Sequence, residues 1–111
     1  MQIKSIVPRG STAEELLTEI LFEIATAHAD GVELIRIEIS EGSAVDNCPK
    51  VFSSIIRRLK QMKQRGQIQF FATPDSFLRS STEAVFLLNK YPVYFDGISK
   101  GEIEKYIYIK I

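Results

Sequence analysis

The chain has 111 residues, with 14 lysines and arginines against 14 aspartates and glutamates, so its formal net charge is zero. Hydrophobic residues make up 45% of the sequence, which is ordinary for one globular domain. The single cysteine excludes an intramolecular disulfide framework and a cysteine-based zinc site. No apolar run is long enough to span a bilayer, and the first residues lack the apolar core of a signal peptide. We therefore expect a single cytoplasmic domain that does not enter a membrane.

The first two predicted elements are a strand over residues 3–7 and a long amphipathic helix. Thr12 with Glu15 is a capping box, and Ser11 with Glu14 is the alternative pair. Apolar residues then recur at helical spacing and form one stripe: Ala13, Leu16, Leu17, Ile20, Leu21 and Ile24.

The middle of the chain continues the alternation of helices and strands. Gly31 is expected to end the first helix, because glycine readily adopts the left-handed conformation found there. A second strand is predicted over 32–39 and a second helix from Pro49 to about Gln64. A third strand is predicted over 68–73.

The last third carries weaker signals. Ser80-Ser81-Thr82-Glu83 contains a capping box that opens a short third helix over 82–88, ended by Pro92. The last predicted strand covers 104–111. Ile107, Ile109 and Ile111, with the preceding Ile103, are expected on one face, and Tyr106 and Tyr108 on the other.

The order β-α-β-α-β-(α)-β predicts a two-layer α/β sandwich. Its four-stranded sheet is mixed but mostly parallel, because right-handed crossovers make the first three strands parallel. Both long helices are expected on one face, and the third helix is expected to cover part of the other. A ferredoxin-like arrangement is the alternative.

The segment from Ile6 to Thr12, together with this order of elements, resembles the Smr (small MutS-related) domain. That family shares the fold of the C-terminal domain of translation initiation factor three. Its Leu-Asp-x-His-Gly-x-Thr pattern matches here at Gly10 and Thr12, whereas Val7 replaces the aspartate and Arg9 replaces the histidine.

The resemblance extends over residues 3–73, and residues 75–101 look like an insertion. The family's second signature, His-Gly-x-Gly, corresponds to Ser40-Glu41-Gly42-Ser43, which has no histidine. Family members bind nucleic acid, and several cut it. With both histidines replaced, the resemblance implies a noncatalytic nucleic-acid-binding or accessory module.

Two loops are expected to meet where the first and second strands end, the usual ligand-binding edge of an open α/β sheet. They contribute Arg9, Ser11 and Thr12 on one side and Ser43 and Asn47 on the other. Both loops lead into helix N-termini, whose free N–H groups attract anions. A phosphate could bind there, but helix capping alone also explains the serines, the threonine and the asparagine.

The charge is unevenly distributed along the chain. Residues 1–46 carry three basic and nine acidic residues, whereas residues 47–74 carry six basic residues and no acidic one. The spacing predicts that Lys50, Arg57, Arg58 and Arg65 lie on the solvent side of the second helix. Such a surface could bind a nucleic-acid backbone or an acidic protein.

Other chemical candidates are weaker. Glu41, Asp46 and Asp75 could converge on a cation, but loop carboxylates are usually solvated. Cys48 lacks a nearby base, since the only histidine, His28, is at the far end of the first helix. The sequence therefore predicts no catalytic residue, metal or cofactor.

The tyrosines of the last strand leave three roles open. Tyr106 and Tyr108 could stack bases, lie under the third helix, or form a homodimer through an open sheet face. We expect Ile6, Leu34 and Phe71 to point to the same face and to need cover. The alternatives to a nucleic-acid-binding module are thus a protein-interaction or dimerisation module and, third, an enzyme acting at the strand ends.

Overall fold

The computed structural model describes residues 3–40, 42–46 and 50–111. It confirms the predicted α/β class and the predicted order of the four strands and of the two long helices. The elements are β1 (Ile3–Ile6), α1 (Ala13–Asp30), β2 (Leu34–Glu38), α2 (Val51–Gln64), β3 (Phe70–Ala72), α3 (Pro74–Leu78), α4 (Thr82–Lys90), α5 (Pro92–Asp96), α6 (Lys100–Ile103) and β4 (Tyr106–Lys110).

The four strands form one mixed sheet in the order β1-β2-β4-β3. β1 pairs with β2 in parallel, whereas β4 is antiparallel to both β2 and β3. The first three strands therefore run in the same direction, as predicted, and β4 is inserted between two of them.

The two long helices cover one face of this sheet. Thr12 is the N-cap of α1 and accepts a hydrogen bond from the backbone N–H of Glu15, and Gly31 ends the helix with a φ of 71°. Isoleucines of β2 and β4 and the stripes of both helices form the main core, which includes Leu16, Ile20, Ile24, Ile35, Ile37, Ile55, Leu59, Ile107 and Ile109.

The other face of the sheet is covered by the short helices of the last third. Leu87 of α4, Tyr91 and Phe95 pack against β2, β3 and β4 there in a second core. Tyr108 is fully buried in this core, which supports the structural role among those left open for it.

Register corrects two of the predicted orientations. Ile6 pairs with Ile37 and Phe71 pairs with Ile109, so both point towards the long helices and not towards the second face. Residues paired in a ladder point to the same face of the sheet, and a shift of one residue along a strand moves a side chain to the opposite face. Leu34 lies on the second face, as predicted.

Three short helices were not predicted. α3 and α5 both begin with a proline, which suits the first helical position because its missing N–H needs no partner there. Pro92 thus starts a helix as well as following one. Within the described part of the chain, no helix is long and apolar enough to cross a membrane.

Candidate functional site

The loop between β1 and α1 uses its N–H groups internally. The backbone N–H groups of Arg9 and Gly10 donate to the carboxylate of Glu19, at 3.0–3.1 Å. Ser11 donates through its backbone N–H to Glu15 Oε2 at 3.0 Å. These are the groups that were expected to attract an anion, and the chain's own carboxylates already accept from them.

The surface beside this loop is acidic. A cavity of about 630 Å³ lies against the outer side of α1 and is lined by Gly10, Glu14, Glu15, Thr18, Glu19 and Phe22. An anion approaching Arg9 would therefore meet three glutamates. For this reason the site described below does not include Arg9, Ser11 or Thr12.

The loop after β2 has a similar local role. Ser43 Oγ accepts a hydrogen bond from the backbone N–H of Asp46, and Asp46 accepts one from Gly42. Asn47, Cys48, Pro49 and Glu41, which the sequence placed in or near this loop, lie outside the described residues.

The four cations predicted on the solvent side of α2 are all exposed, but they do not form one stripe. Lys50 and Arg65 lie at the two ends of the helix. Arg58 lines a cavity between α1 and α2, beside His28. Arg57 lies on the opposite flank, beside Phe52 and Lys60.

That opposite flank borders two adjoining cavities. A cavity of about 630 Å³ lies between α2, the end of β3 and helices α3 and α4. A second cavity of about 360 Å³ continues it along α2 and shares Ile56 and Lys60 with it. Together they form what we call the basic groove, lined by Phe52, Ser53, Ile56, Arg57, Lys60, Lys63, Gln64, Phe71, Thr73, Ser76, Arg79 and Glu83.

The lining of the basic groove is predominantly cationic. It has four basic side chains against one carboxylate, that of Glu83. Lys63 pairs with Glu83 at 3.7 Å, and Arg79 pairs with Asp75 at 2.6 Å. Arg57 and Lys60 form no ion pair with any described residue, so their charges face the groove without compensation.

Apolar side chains form the floor of the groove. Phe71 and Ile56 are half-buried and pack against the main core, while Phe52 keeps 39% of its surface exposed at the Arg57 end. A cationic wall beside aromatic rings is the combination that binds a flexible nucleic-acid strand.

Sequence reasoning found only part of this groove. The sequence predicts Arg57 as a site residue, but not Lys60, Lys63 or Arg79. The available signal was the spacing of Ser53, Ile56/Arg57, Lys60 and Lys63/Gln64, which places them along one flank of a helix. Arg79 could not be found, because it reaches the groove only through the fold of the last third.

The described residues also contain no cluster of three or more histidine, cysteine, aspartate or glutamate side chains able to hold a metal. His28 instead donates from Nε2 to the backbone carbonyl of Gln67, at 2.6 Å. A scan against protein-family models and searches of curated proteins and of solved structures return no match.

Proposed function

We propose that this chain is a noncatalytic nucleic-acid-binding module that holds a single strand in the basic groove. The observation that carries the proposal is the pair of uncompensated cations, Arg57 and Lys60, beside exposed aromatic surface in two adjoining cavities. Phosphate contacts supply most of the affinity of such modules, and aromatic rings add stacking that tolerates any base.

The dimensions of the groove suit a short stretch of backbone. Its α2 flank runs from Ser53 to Gln64, which is about 16 Å of helix at 1.5 Å per residue. Cations recur along this flank at Arg57, Lys60 and Lys63, one helical turn or less apart. A strand of a few nucleotides could place successive phosphates against them, and a base could stack on Phe52.

The resemblance to the Smr domain is part of this proposal. It rests on the β-α-β-α order and on Gly10 and Thr12 in the first loop. Nucleic-acid binding is common to that family, and the replacement of its histidines by Arg9 and by the Ser40–Ser43 loop favours binding without cleavage.

Two neighbouring arginines provide a matched test. Arg57 lines the basic groove, whereas Arg58 is on the other flank of the same helix, so Arg57→Glu and Arg58→Glu make the same change of charge. Binding to fluorescein-labelled single-stranded RNA and DNA is measured by anisotropy at several salt concentrations. We expect R57E to weaken binding about tenfold or more and R58E about threefold or less. The slope of log K against log salt should fall by about 0.7 or more for R57E.

A Lys60→Glu variant strengthens the test, because Lys60 lies where the two cavities join. It should weaken binding at least as much as R57E. No binding to any strand at low salt would contradict the proposal, as would equal losses in R57E and R58E. Tighter binding to duplexes than to single strands would contradict the proposal that bases stack on the aromatic rings of the groove.

A second candidate is a protein-interaction module. Leu78 and Val93, on α3 and α5, are 71% and 87% exposed, so the short helices present apolar side chains that a partner could cover. Sedimentation of the purified protein tests self-association, including a homodimer. In this case Leu78→Ser and Val93→Ser would shift the sedimentation coefficient, and R57E would leave it unchanged.

A further inference from the structure

Arg36 lies at the centre of a polar cluster on the second face of the sheet. In the ladders it pairs with Ser5 of β1 and with Tyr108 of β4. Its Nε donates to Ser5 Oγ at 2.5 Å, and its Nη1 donates to the hydroxyl of Tyr94 at 2.7 Å. Its guanidinium carbon lies 4.3 Å from the centre of the Tyr106 ring, which is a cation–π contact.

No carboxylate of a described residue forms an ion pair with Arg36. Arg36 is half-buried. Glu38 follows on the same face of β2, but its carboxylate accepts from Ser40 at 2.9 Å. Burial lowers the pKa of Arg36 and its three tyrosine neighbours raise it, and the net direction is upward. Arg36 therefore remains a cation in a site with reduced access to water.

The cluster also has hydrogen-bond donors to spare. A guanidinium has five N–H groups in a planar fork, and the contacts to Ser5 and Tyr94 use two of them. Tyr94 accepts from Arg36, so its own hydroxyl proton can be donated to a ligand or to the Tyr108 hydroxyl, which lies 3.5 Å away. The Tyr106 hydroxyl forms no hydrogen bond with another described residue, and the ring is half-buried.

The cluster is open on one side. The second core covers β3, β4 and Leu34 of β2, and Ile3 of β1 packs partly buried against it, whereas Ser5, further along the outer strand β1, is exposed. A ligand could therefore reach Arg36 from the β1 side without displacing a helix.

We propose that Arg36, with the hydroxyls of Tyr94 and Tyr106, binds an oxyanion, the phosphate or carboxylate group of a ligand. The planar fork of arginine matches two oxygens of such a group, and partial burial strengthens the charge-assisted hydrogen bonds. This oxyanion site is independent of the proposed nucleic-acid binding, because the basic groove lies on α2 and at the β3 edge of the sheet.

Intrinsic tyrosine fluorescence reports directly on the oxyanion site. The chain has no tryptophan and four tyrosines, and Arg36 contacts two of these tyrosines directly. Inorganic phosphate and, separately, acetate are titrated at constant ionic strength, with sodium chloride as the compensating salt. We expect a saturable change with at least one of them, and the stronger of the two identifies which group the ligand carries.

Variants locate the bound ion. Arg36→Gln should weaken binding about tenfold or more, and Arg36→Lys should weaken it less, because charge remains while the fork is lost. Tyr106→Phe keeps the ring against Arg36 and removes only the hydroxyl, so it tests the site even if Arg36→Gln does not fold. We expect a loss of about threefold or more from Tyr106→Phe.

Arg65→Gln is the matched control and should bind the ion like the parent protein, because Arg65 is exposed at the end of α2 and lines neither the oxyanion site nor the basic groove. Arg57→Gln is titrated in parallel to report on the basic groove. The proposal is overturned if neither anion gives a saturable change at tens of millimolar. It is also overturned if Arg36→Gln and Tyr106→Phe bind normally, or if Arg57→Gln is the variant that loses binding. That last result would place the ion in the groove and leave the proposed function standing.

Discussion

Tyr91 and Tyr108 are both buried on the second face of the sheet, but their hydroxyl groups have different surroundings. The Tyr108 hydroxyl lies 3.5 Å from that of Tyr94, within reach of a hydrogen bond. The Tyr91 hydroxyl is buried without a hydrogen-bond partner among the described residues. Burial raises the pKa of Tyr91, and the nearby Glu33 adds to this shift. An unpaired buried hydroxyl costs free energy because it has given up its bonds to water.

We expect Tyr91→Phe to raise the free energy of unfolding by about 1 kcal/mol, since it removes that hydroxyl and keeps the ring. Urea denaturation of the two proteins measures the difference. Tyr94→Phe is the control and should have the opposite sign, because it leaves Arg36 Nη1 without its acceptor. A loss of stability in Tyr91→Phe would contradict the prediction.

At the scale of single residues, the sequence predicts the types of side chain better than their partners. Thr12 was correctly predicted to cap the first helix, because Thr12 and the Glu15 N–H that donates to it are only three residues apart. Glu19 was not singled out, although its carboxylate accepts from two N–H groups ten and nine positions away. Contacts of that separation depend on how the chain enters the helix.

At the scale of elements, the N-terminal end of α1 depends most on contacts between residues that are distant in sequence. The Glu19 carboxylate accepts a hydrogen bond from Gly10, in the loop before the helix. The backbone of Gly10 lies so close to the helix that an added Cβ would be 2.8 Å from the Cβ of Glu15. The loop therefore depends on a carboxylate in the second turn of the helix as well as on the capping threonine.

Glu19→Ala should lower the free energy of unfolding by about 1–2 kcal/mol, because two backbone N–H groups lose a charged acceptor. Glu14→Ala on the same helix is the matched control, since Glu14 is exposed in the first turn. We expect about 0.5 kcal/mol or less from it. Thermal and urea denaturation give both values, and equal losses would show that the two N–H bonds contribute little.

The predicted elements were correct where they are long. α1, α2 and the strands around them carry enough turns or alternations for a period to be recognised. α3, α5 and α6 have only four or five residues, too few for an apolar period, so capping residues and Pro74 or Pro92 were the only signals. These short segments are helical in a place where their apolar side chains pack against the second face of the sheet.

At the scale of the whole molecule, two cores share one sheet. The main core lies under α1 and α2, and the second core lies under the short helices. Residues 75–101, which look like an insertion relative to the Smr pattern, supply Leu87, Tyr91 and Phe95 to the second core. We therefore expect this segment to be essential for stability.

Two adjacent leucines of α4 test this expectation. Leu87 is fully buried, and Leu88 is 41% exposed. Leu87→Ala should lower the free energy of unfolding by about 2–5 kcal/mol, whereas Leu88→Ala should cost less than about 1 kcal/mol. Circular dichroism during urea denaturation measures both changes. Near-equal costs would mean that the second core contributes little to the fold.

The position of β4 was beyond sequence reasoning. The alternation of isoleucines and tyrosines correctly predicted the two faces of this strand, with Ile107 and Ile109 in the main core and Tyr108 in the second. The residues of β4 do not predict which strands pair with it. The basic groove was hidden for the same reason, because its far wall at Arg79 depends on how the last third packs.

That central position has a consequence for how the chain acquires its structure during synthesis. β4 is the last element in chain order, yet both β2 and β3 pair with it. Until residues 106–110 have left the ribosome, β3 has no strand beside it, and only β1 and β2 can form a ladder. The partners in the β2–β4 ladder are about 70 residues apart, and such distant pairings form slowly. The nascent chain therefore carries exposed strand edges until β4 has emerged from the ribosome.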